Sequence, residues 1–351
     1  MYDYDRSNFI AFLKDFPGQI ASSLNLMRNF SVDYQASDIS SIVFTGMGGS
    51  AISADLLLGF CDSELRVPAV VNRDYSIPGF VNSDTLFIAV SYSGNTEETL
   101  SALEKAKEKS AKIIGISSGG KLEDVCSENG YSHIKISEGL PPRQALGNLF
   151  FPLLKLFEKL ELITLSKEDL AETEQVLQDL SDRFDPMKSQ KNNLANHIAQ
   201  SIYHAIPVIY TGVPALYPVS VRWRNQFNEN SKALAFSNVF PELNHNEIVG
   251  WEGTAEVNQN FRVIFLRAPG ENARVKQRIR ITKDILRSKR ILFGEIFAEG
   301  NSRLARMFSL IYTGDWASYY LAMLNEKDPI KIESIDFLKQ KMSEVEAAVE
   351  N

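Results

Sequence analysis

Two short stretches combine glycines with hydroxyl side chains. "FTGMGGSAIS" (44 to 53) sets Gly46, Gly48 and Gly49 ahead of Ser50, and "SYSGNTEET" sets Ser91, Ser93 and Thr96 around Gly94. Each follows a short apolar run and precedes a helical pattern. Glycine lets the backbone approach a ligand closely, and hydroxyls beside the free N–H groups of a helix N-terminus favour a compact dianion. The chemistry these residues suit is phosphate binding, with Gly48, Gly49, Ser50, Ser91, Ser93 and Thr96 as the candidate set. The pattern Gly46-x-Gly48-x-x-Ala51 also satisfies a dinucleotide fingerprint, which expects an acid roughly 20 positions on, at the end of the second strand. That strand ends "VVNRDY", with Asn72 and Arg73 before Asp74, so the acid comes late. The hydroxyls have a plainer use as helix caps, Asn95 with Glu98 resembling a capping box. Two such loops on strands of one sheet favour the phosphate, because strand ends in a doubly wound sheet open onto one crevice.

The elements that must carry these loops are legible from about residue 40 onward. Runs at 41–46, 67–72, 85–91, 111–117 and 133–137 are apolar along their length, as buried parallel strands are, with amphipathic segments between them. After a polar helical stretch at 166–186, expected as a solvated connection, the alternation resumes at 207–212, 233–238, 261–267 and 290–297. This predicts an α/β fold of two tandem doubly wound domains, parallel sheets flanked by helices, at 1–160 and 201–351 with a helical connector at 161–200. "IVFTGMGGSAIS" aligns with "VIYTGVPALYPV", and "TLFIAVSYSGNTEET" with "RVIFLRAPGENARV", which indicates a duplicated domain whose second copy has lost the glycines and serines. In the apolar stretch 311–324, Gly314 is expected to permit close packing and Asp315 to bond within its own helix.

Composition narrows the function. The chain has 351 residues and a net charge of −7 without a Lys/Arg block, which argues against nucleic-acid or anionic-membrane partners. The first twenty residues lack a signal-peptide h-region, and no run approaches the ~18 apolar residues of a membrane span. Cys61 and Cys126 read as reduced thiols of a cytoplasmic protein, and the four histidines form no metal-ligand spacing, so neither metal nor cofactor is expected. His197 and His204 are expected on one helix.

The loops resemble sugar isomerase (SIS) domains, which bind phosphosugars there. Two tandem copies with "PPRQALG" and "NENSKALAFSNVFPELNHNEIVGW" resemble the bifunctional phosphoglucose/phosphomannose isomerases of the phosphoglucose isomerase superfamily, over nearly the whole chain. The resemblance implies an aldose–ketose isomerase working through a cis-enediol, and it implies roles. Glu229, by itself a solvated helix end, matches the catalytic base. His245, by itself a loop histidine bonded to local backbone, matches the histidine that opens the pyranose ring and arrives from the neighbouring subunit of a homodimer. Arg143, held by two prolines at a helix start, suits an enediolate's negative oxygen. Lys339, by itself a solvated helix lysine, matches one that assists ring opening. The segment 328–330 is a candidate to face the C2 hydroxyl. SIS modules also serve as phosphosugar sensors in regulators, but no basic recognition helix precedes residue 40.

Overall fold

The computed structural model describes residues 3–188 and 193–349. Among the described residues nine strands appear where the apolar runs predict them: β1 (Ser41–Thr45), β2 (Ala69–Asn72), β3 (Thr85–Val90), β4 (Lys112–Ser117), β5 (Ser132–Lys135), β6 (Ile206–Thr211), β7 (Phe236–Val239), β8 (Phe261–Arg267) and β9 (Leu292–Phe297). The helices are α1 (Phe9–Asp15), α2 (Gly18–Leu26), α3 (Gly48–Cys61), α4 (Glu97–Glu108), α5 (Gly120–Asn129), α6 (Leu146–Lys159), α7 (Lys167–Phe184), α8 (Leu194–Ile202), α9 (Tyr217–Ser231), α10 (Ala255–Asn258), α11 (Ala273–Ser288), α12 (Arg303–Leu324) and α13 (Glu333–Val349). His197 lies on α8, but His204 falls beyond its end with a left-handed backbone (φ 59°), so the two do not share a helix.

Both sheets are wholly parallel, in the orders β2-β1-β3-β4-β5 and β7-β6-β8-β9. The duplication read from the sequence is thus a duplication of topology: β1 sits between β2 and β3 as β6 sits between β7 and β8. Strand order reverses beside β1 and β6, which opens a crevice at the carboxyl ends of the strands there.

Alternate residues of the central strands serve different cores. Leu86, Ile88 and Val90 of β3 join a core shared by both halves of the chain, while Phe87 and Ala89 face Leu103 and Ala106 of α4. In the second sheet Ile209 and Ile264 point into the shared core, and Val208 and Val263 into an outer cluster with Ile279 of α11. Burial on both faces is why these strands read as continuous apolar runs rather than alternating ones.

The shared core is organised by α12, buried along nearly its whole length and packed by α7, α8 and α9. The charged connector is only half solvated: Leu170, Leu177, Leu180 and Phe184 of α7 are buried, its acids Glu168, Glu174, Asp179 and Asp182 face out, and Asp185 beyond the helix is buried with Lys14 at 2.8 Å. Gly314 does permit close packing, since an added Cβ would lie 2.6 Å from Trp223 Cδ1 on α9. Asp315 bonds differently from expectation. It leaves its own helix and accepts Arg222 Nε at 3.1 Å, Arg222 Nη2 at 2.7 Å and Gln226 Nε2 at 2.9 Å, all from α9. A carboxylate in a dry helix interface is stable only beside a buried cation, which the local sequence around 315 does not supply.

Asp315→Asn removes the charge and leaves Arg222 buried and uncompensated. Its stability loss is expected to be about 3–5 kcal/mol, larger than the roughly 1–3 kcal/mol of overpacking expected for Gly314→Ala. Urea denaturation of the two variants beside the parent checks both the magnitudes and their order.

Candidate active site

The hydroxyl loops converge as the sheet topology requires. Ser50 lies in the first turn of α3, and its Oγ accepts the backbone N–H of Tyr92, 3.2 Å away at the end of β3. Ser91 Oγ and Thr96 Oγ1 are 2.8 Å apart, and the Ser93 Oγ accepts the Asn95 N–H at 3.3 Å. The capping box does not form: α4 starts after Thr96, and Asn95 instead donates to the Ser93 carbonyl and accepts the Lys121 N–H. The hydroxyls therefore cluster over the N-terminal turns of α3 and α4, whose first N–H groups have no partner within the helix.

A single close contact ties this loop to the rest of the cleft. A Cβ on Gly49 would stand 2.9 Å from the Pro142 carbonyl oxygen and 3.6 Å from Arg143 Cα. Any side chain at position 49 would drive the two backbones apart. Pro142–Gln144 form a short 3-10 turn after Pro141, and the Arg143 side chain runs from it into the protein. Its Nε donates to Asn230 Oδ1 at 2.7 Å, and its Nη2 to the carbonyls of Pro329 and Ile330 at 2.6 and 3.1 Å. Its Nη1 lies 3.6 Å from Glu229 Oε2. Burial pulls the guanidinium below the ordinary arginine range, and the charge of Glu229 opposes that shift. On the far side, Arg222 Nη2 donates to the Arg143 carbonyl at 3.1 Å, so the Asp315–Arg222 pair braces the turn from behind.

Glu229 lies near the C-terminus of α9, its side chain 32% exposed, and opens onto a cavity of about 550 Å3. The wall opposite comes from residues 326–328 and the first turn of α13. Of the segment 328–330, only Asp328 lines this cavity; the carbonyls that follow are engaged by Arg143. Asp328 is itself held, its Oδ2 accepting Ser7 Oγ at 2.7 Å.

Two candidates stand apart from this group. His245 closes a 3-10 turn (Glu242–His245) after β7, pinned on either side by Asn246 with Glu242 and by Asn238 with Glu247, and its ring is exposed. It does not line the Glu229 cavity, and neither do Arg143 and the glycine and hydroxyl loops, but unlike Arg143 it makes no contact with Glu229. Lys339 is exposed on α13, about 6 Å along the helix axis beyond Ile335, the last residue of that helix to line the cavity. The sequence reading passes over Lys232 and Asn230. Both flank Glu229, and the one clue to Lys232 is that α9 runs into the next strand with no glycine to end it.

A model of the SIS domain matches residues 36–129, and one described as the bacterial phospho-glucose isomerase C-terminal SIS domain matches residues 191–342. The chain is 45% identical to the bifunctional phosphoglucose/phosphomannose isomerase of Caldicellulosiruptor bescii, over 94% of this chain and 98% of that one. It is 40% identical to the protein of the same description from Thermoplasma acidophilum, over 90% and 93%. Among solved structures, a hypothetical protein of Thermus thermophilus superposes with a TM-score of 0.76 at 14% identity, over 97% of this chain and 91% of that one, a likeness of fold. With both halves matched in order and identity sustained end to end, the chain belongs to the bifunctional phosphoglucose/phosphomannose isomerase family.

Proposed function

We propose that the protein interconverts fructose 6-phosphate with glucose 6-phosphate and mannose 6-phosphate, by proton transfer through a cis-enediol. The observation that carries this reading is the placement of Arg143, whose backbone abuts the Gly49 loop while its guanidinium lies 3.6 Å from the Glu229 carboxylate. A phosphate held by Gly48, Gly49, Ser50, Ser91, Ser93 and Thr96 puts the sugar's far end toward Glu229. The carboxylate then removes the proton from C2 of an aldose, or C1 of the ketose, and returns it to the neighbouring carbon. The electron pair shifts from the C–H bond into the enediol and the negative charge falls on oxygen, where Arg143, fixed by three acceptors, stabilises it without reorganising. A second proton passes from the C2 hydroxyl to O1 as the aldose carbonyl becomes the ketose hydroxyl, and from O1 to O2 in reverse, so the exchange closes within the substrate and no cofactor or metal enters the scheme.

In this reading the enzyme is a homodimer. A second copy brings the His245 imidazole to the pyranose ring oxygen, as the family resemblance implies, and the ring is exposed, which leaves it open to a partner's site. Ile335, Phe337, Leu338 and Met342 are uncovered on α13, an apolar surface that suits burial against a partner and would carry Lys339 with it. The location we assign is cytoplasmic. The free thiols Cys61 and Cys126 are buried, which pushes them up to about 12 and about 11 and fits packing roles for thiols kept reduced. Among the described residues no helix is long and apolar enough to cross a membrane.

Isomerisation of fructose 6-phosphate, assayed separately for glucose and mannose 6-phosphates, tests the reading, and activity is expected to persist after exhaustive chelation. Glu229→Gln keeps the shape and cannot take the proton. It is expected to lower kcat by about 10²–10⁴-fold, and to abolish deuterium incorporation from heavy water, while a phosphosugar analogue still binds. Ser93→Ala with Thr96→Ala should instead raise KM. The subunit arrangement has its own check. Glu229→Gln and His245→Ala proteins, each nearly inactive, should regain activity when refolded together, and a mixture shown to contain heterodimer without recovery places both residues in one subunit's site.

A further inference from the structure

We propose that Lys232 is a positioning residue for the base: its ammonium fastens the C-terminus of α9, and with it Glu229, to the segment 328–330 that also holds Arg143. This deepens the isomerase reading of the same site and rests on it. The geometry is local and specific. Lys232 ends α9 in a left-handed conformation (φ 53°), one that a glycine adopts freely and a lysine does not. From there its side chain turns back over the helix end. The three N–H donors of Nζ are shared among four carbonyls, those of Glu229 at 2.8 Å and Asn230 at 3.2 Å and, across the cleft, those of Asp328 at 2.8 Å and Pro329 at 3.2 Å. A cation over the last carbonyls of a helix is favoured by their partial negative charge.

The two cations of the site meet on shared atoms. The Pro329 carbonyl accepts from both Lys232 Nζ and Arg143 Nη2, and Asn230 is held through its carbonyl by Lys232 and through Oδ1 by Arg143. The backbone on the C-terminal side of Glu229 is therefore clamped by Lys232, and its carboxylate is approached by Arg143. A glycine would end α9 at lower backbone strain, so the lysine is explained by what its ammonium reaches.

The clamp depends on charge. Loss of water around the ammonium and the neighbouring Arg143 push Lys232 down to about 8, against the opposing charges of Asp328 and Glu229; Lys327 adds to the lowering. Arg6, Glu326, Lys331 and Glu333 are the other charged groups around the cavity, and Tyr4 is held with Glu326. Because the folded value is lowered, the ammonium is intact below about pH 8 and is lost as pH rises through it.

The experiment compares fructose 6-phosphate isomerisation by the parent enzyme with Lys232→Gly, Lys232→Met and Lys232→Arg across pH. Lys232→Gly relieves the left-handed strain and keeps the fold while deleting the ammonium. It and Lys232→Met are expected to lower kcat about tenfold or more with KM changed less than about threefold, since the phosphate loops are untouched. The fall in kcat above about pH 8 should vanish in these two variants and move to higher pH in Lys232→Arg, which should retain most of the rate. A Lys232→Gly enzyme with the parent's kcat and the same alkaline limb overturns the proposal and reduces Lys232 to a helix cap. That result is distinguishable from failure of the isomerase reading itself, in which the parent would not turn over fructose 6-phosphate and both inferences would fall together.

Discussion

The cleft depends on the buried ion pair between Arg222 of α9 and Asp315 of α12. Both side chains are almost wholly removed from water, at 3% and 2% exposure, and burial drives the Asp315 carboxyl up while Arg222 holds it down. Such a pair adds little net stability relative to apolar packing, but removing one partner strands the other, so any arrangement of the two helices that separates the pair is strongly disfavoured. The geometry is sharpened by Trp223, whose Nε1 donates to the Leu310 carbonyl at 2.8 Å beside the groove that Gly314 leaves. With α9 set against α12, the position of Glu229 follows. Arg222 also reaches the carbonyl of Arg143, so the same pair sets the turn that carries the second guanidinium.

The two halves of the chain divide the work. The first supplies strand ends and helix N-termini, where hydroxyls and free N–H groups suit a dianion. The second, with the same strand order, has no glycine and serine cluster at its equivalent loops and supplies instead the C-terminus of α9, where a carboxylate and a lysine lie together. Cations belong at a helix C-terminus and anions at an N-terminus. The candidate phosphate loops and the Lys232 clamp thus sit at helix ends of opposite polarity. Glu229 is an anion at the end that disfavours it, and Arg143 and Lys232 are the charges that hold it there.

Much of this is legible one segment at a time. Period and burial reveal the strands, because a parallel strand buried on both faces announces itself by composition. The repeat of β1 and β3 in β6 and β8 is visible because duplication preserves local pattern. What the sequence misleads on depends on partners far along the chain. Asp315 looks as if it bonds within its helix, but its partner lies 93 residues earlier. Asn95 looks like a cap and instead joins the Ser93 carbonyl to the N–H of Lys121. Lys232 carries almost no signal, because its acceptors are backbone carbonyls, which any residue type provides.

The sequence by itself determined the fold class, the two-copy architecture and the position of the glycine and hydroxyl loops, since each is written in residues within a few positions of one another and governed by local backbone chemistry. Resemblance to a family added the roles of Glu229, His245 and Lys339, while Arg143 was singled out by the two prolines before it. Only the tertiary structure decided that Arg143 stands between the Gly49 loop and Glu229, that Asp315 anchors α9, and that His245 lies outside the cavity onto which Glu229 opens. The physical reason is that a charge becomes a working group through what removes its water and what faces it across the cleft. In this chain those neighbours come from positions 49, 143, 230, 315 and 329, which no local window brings together.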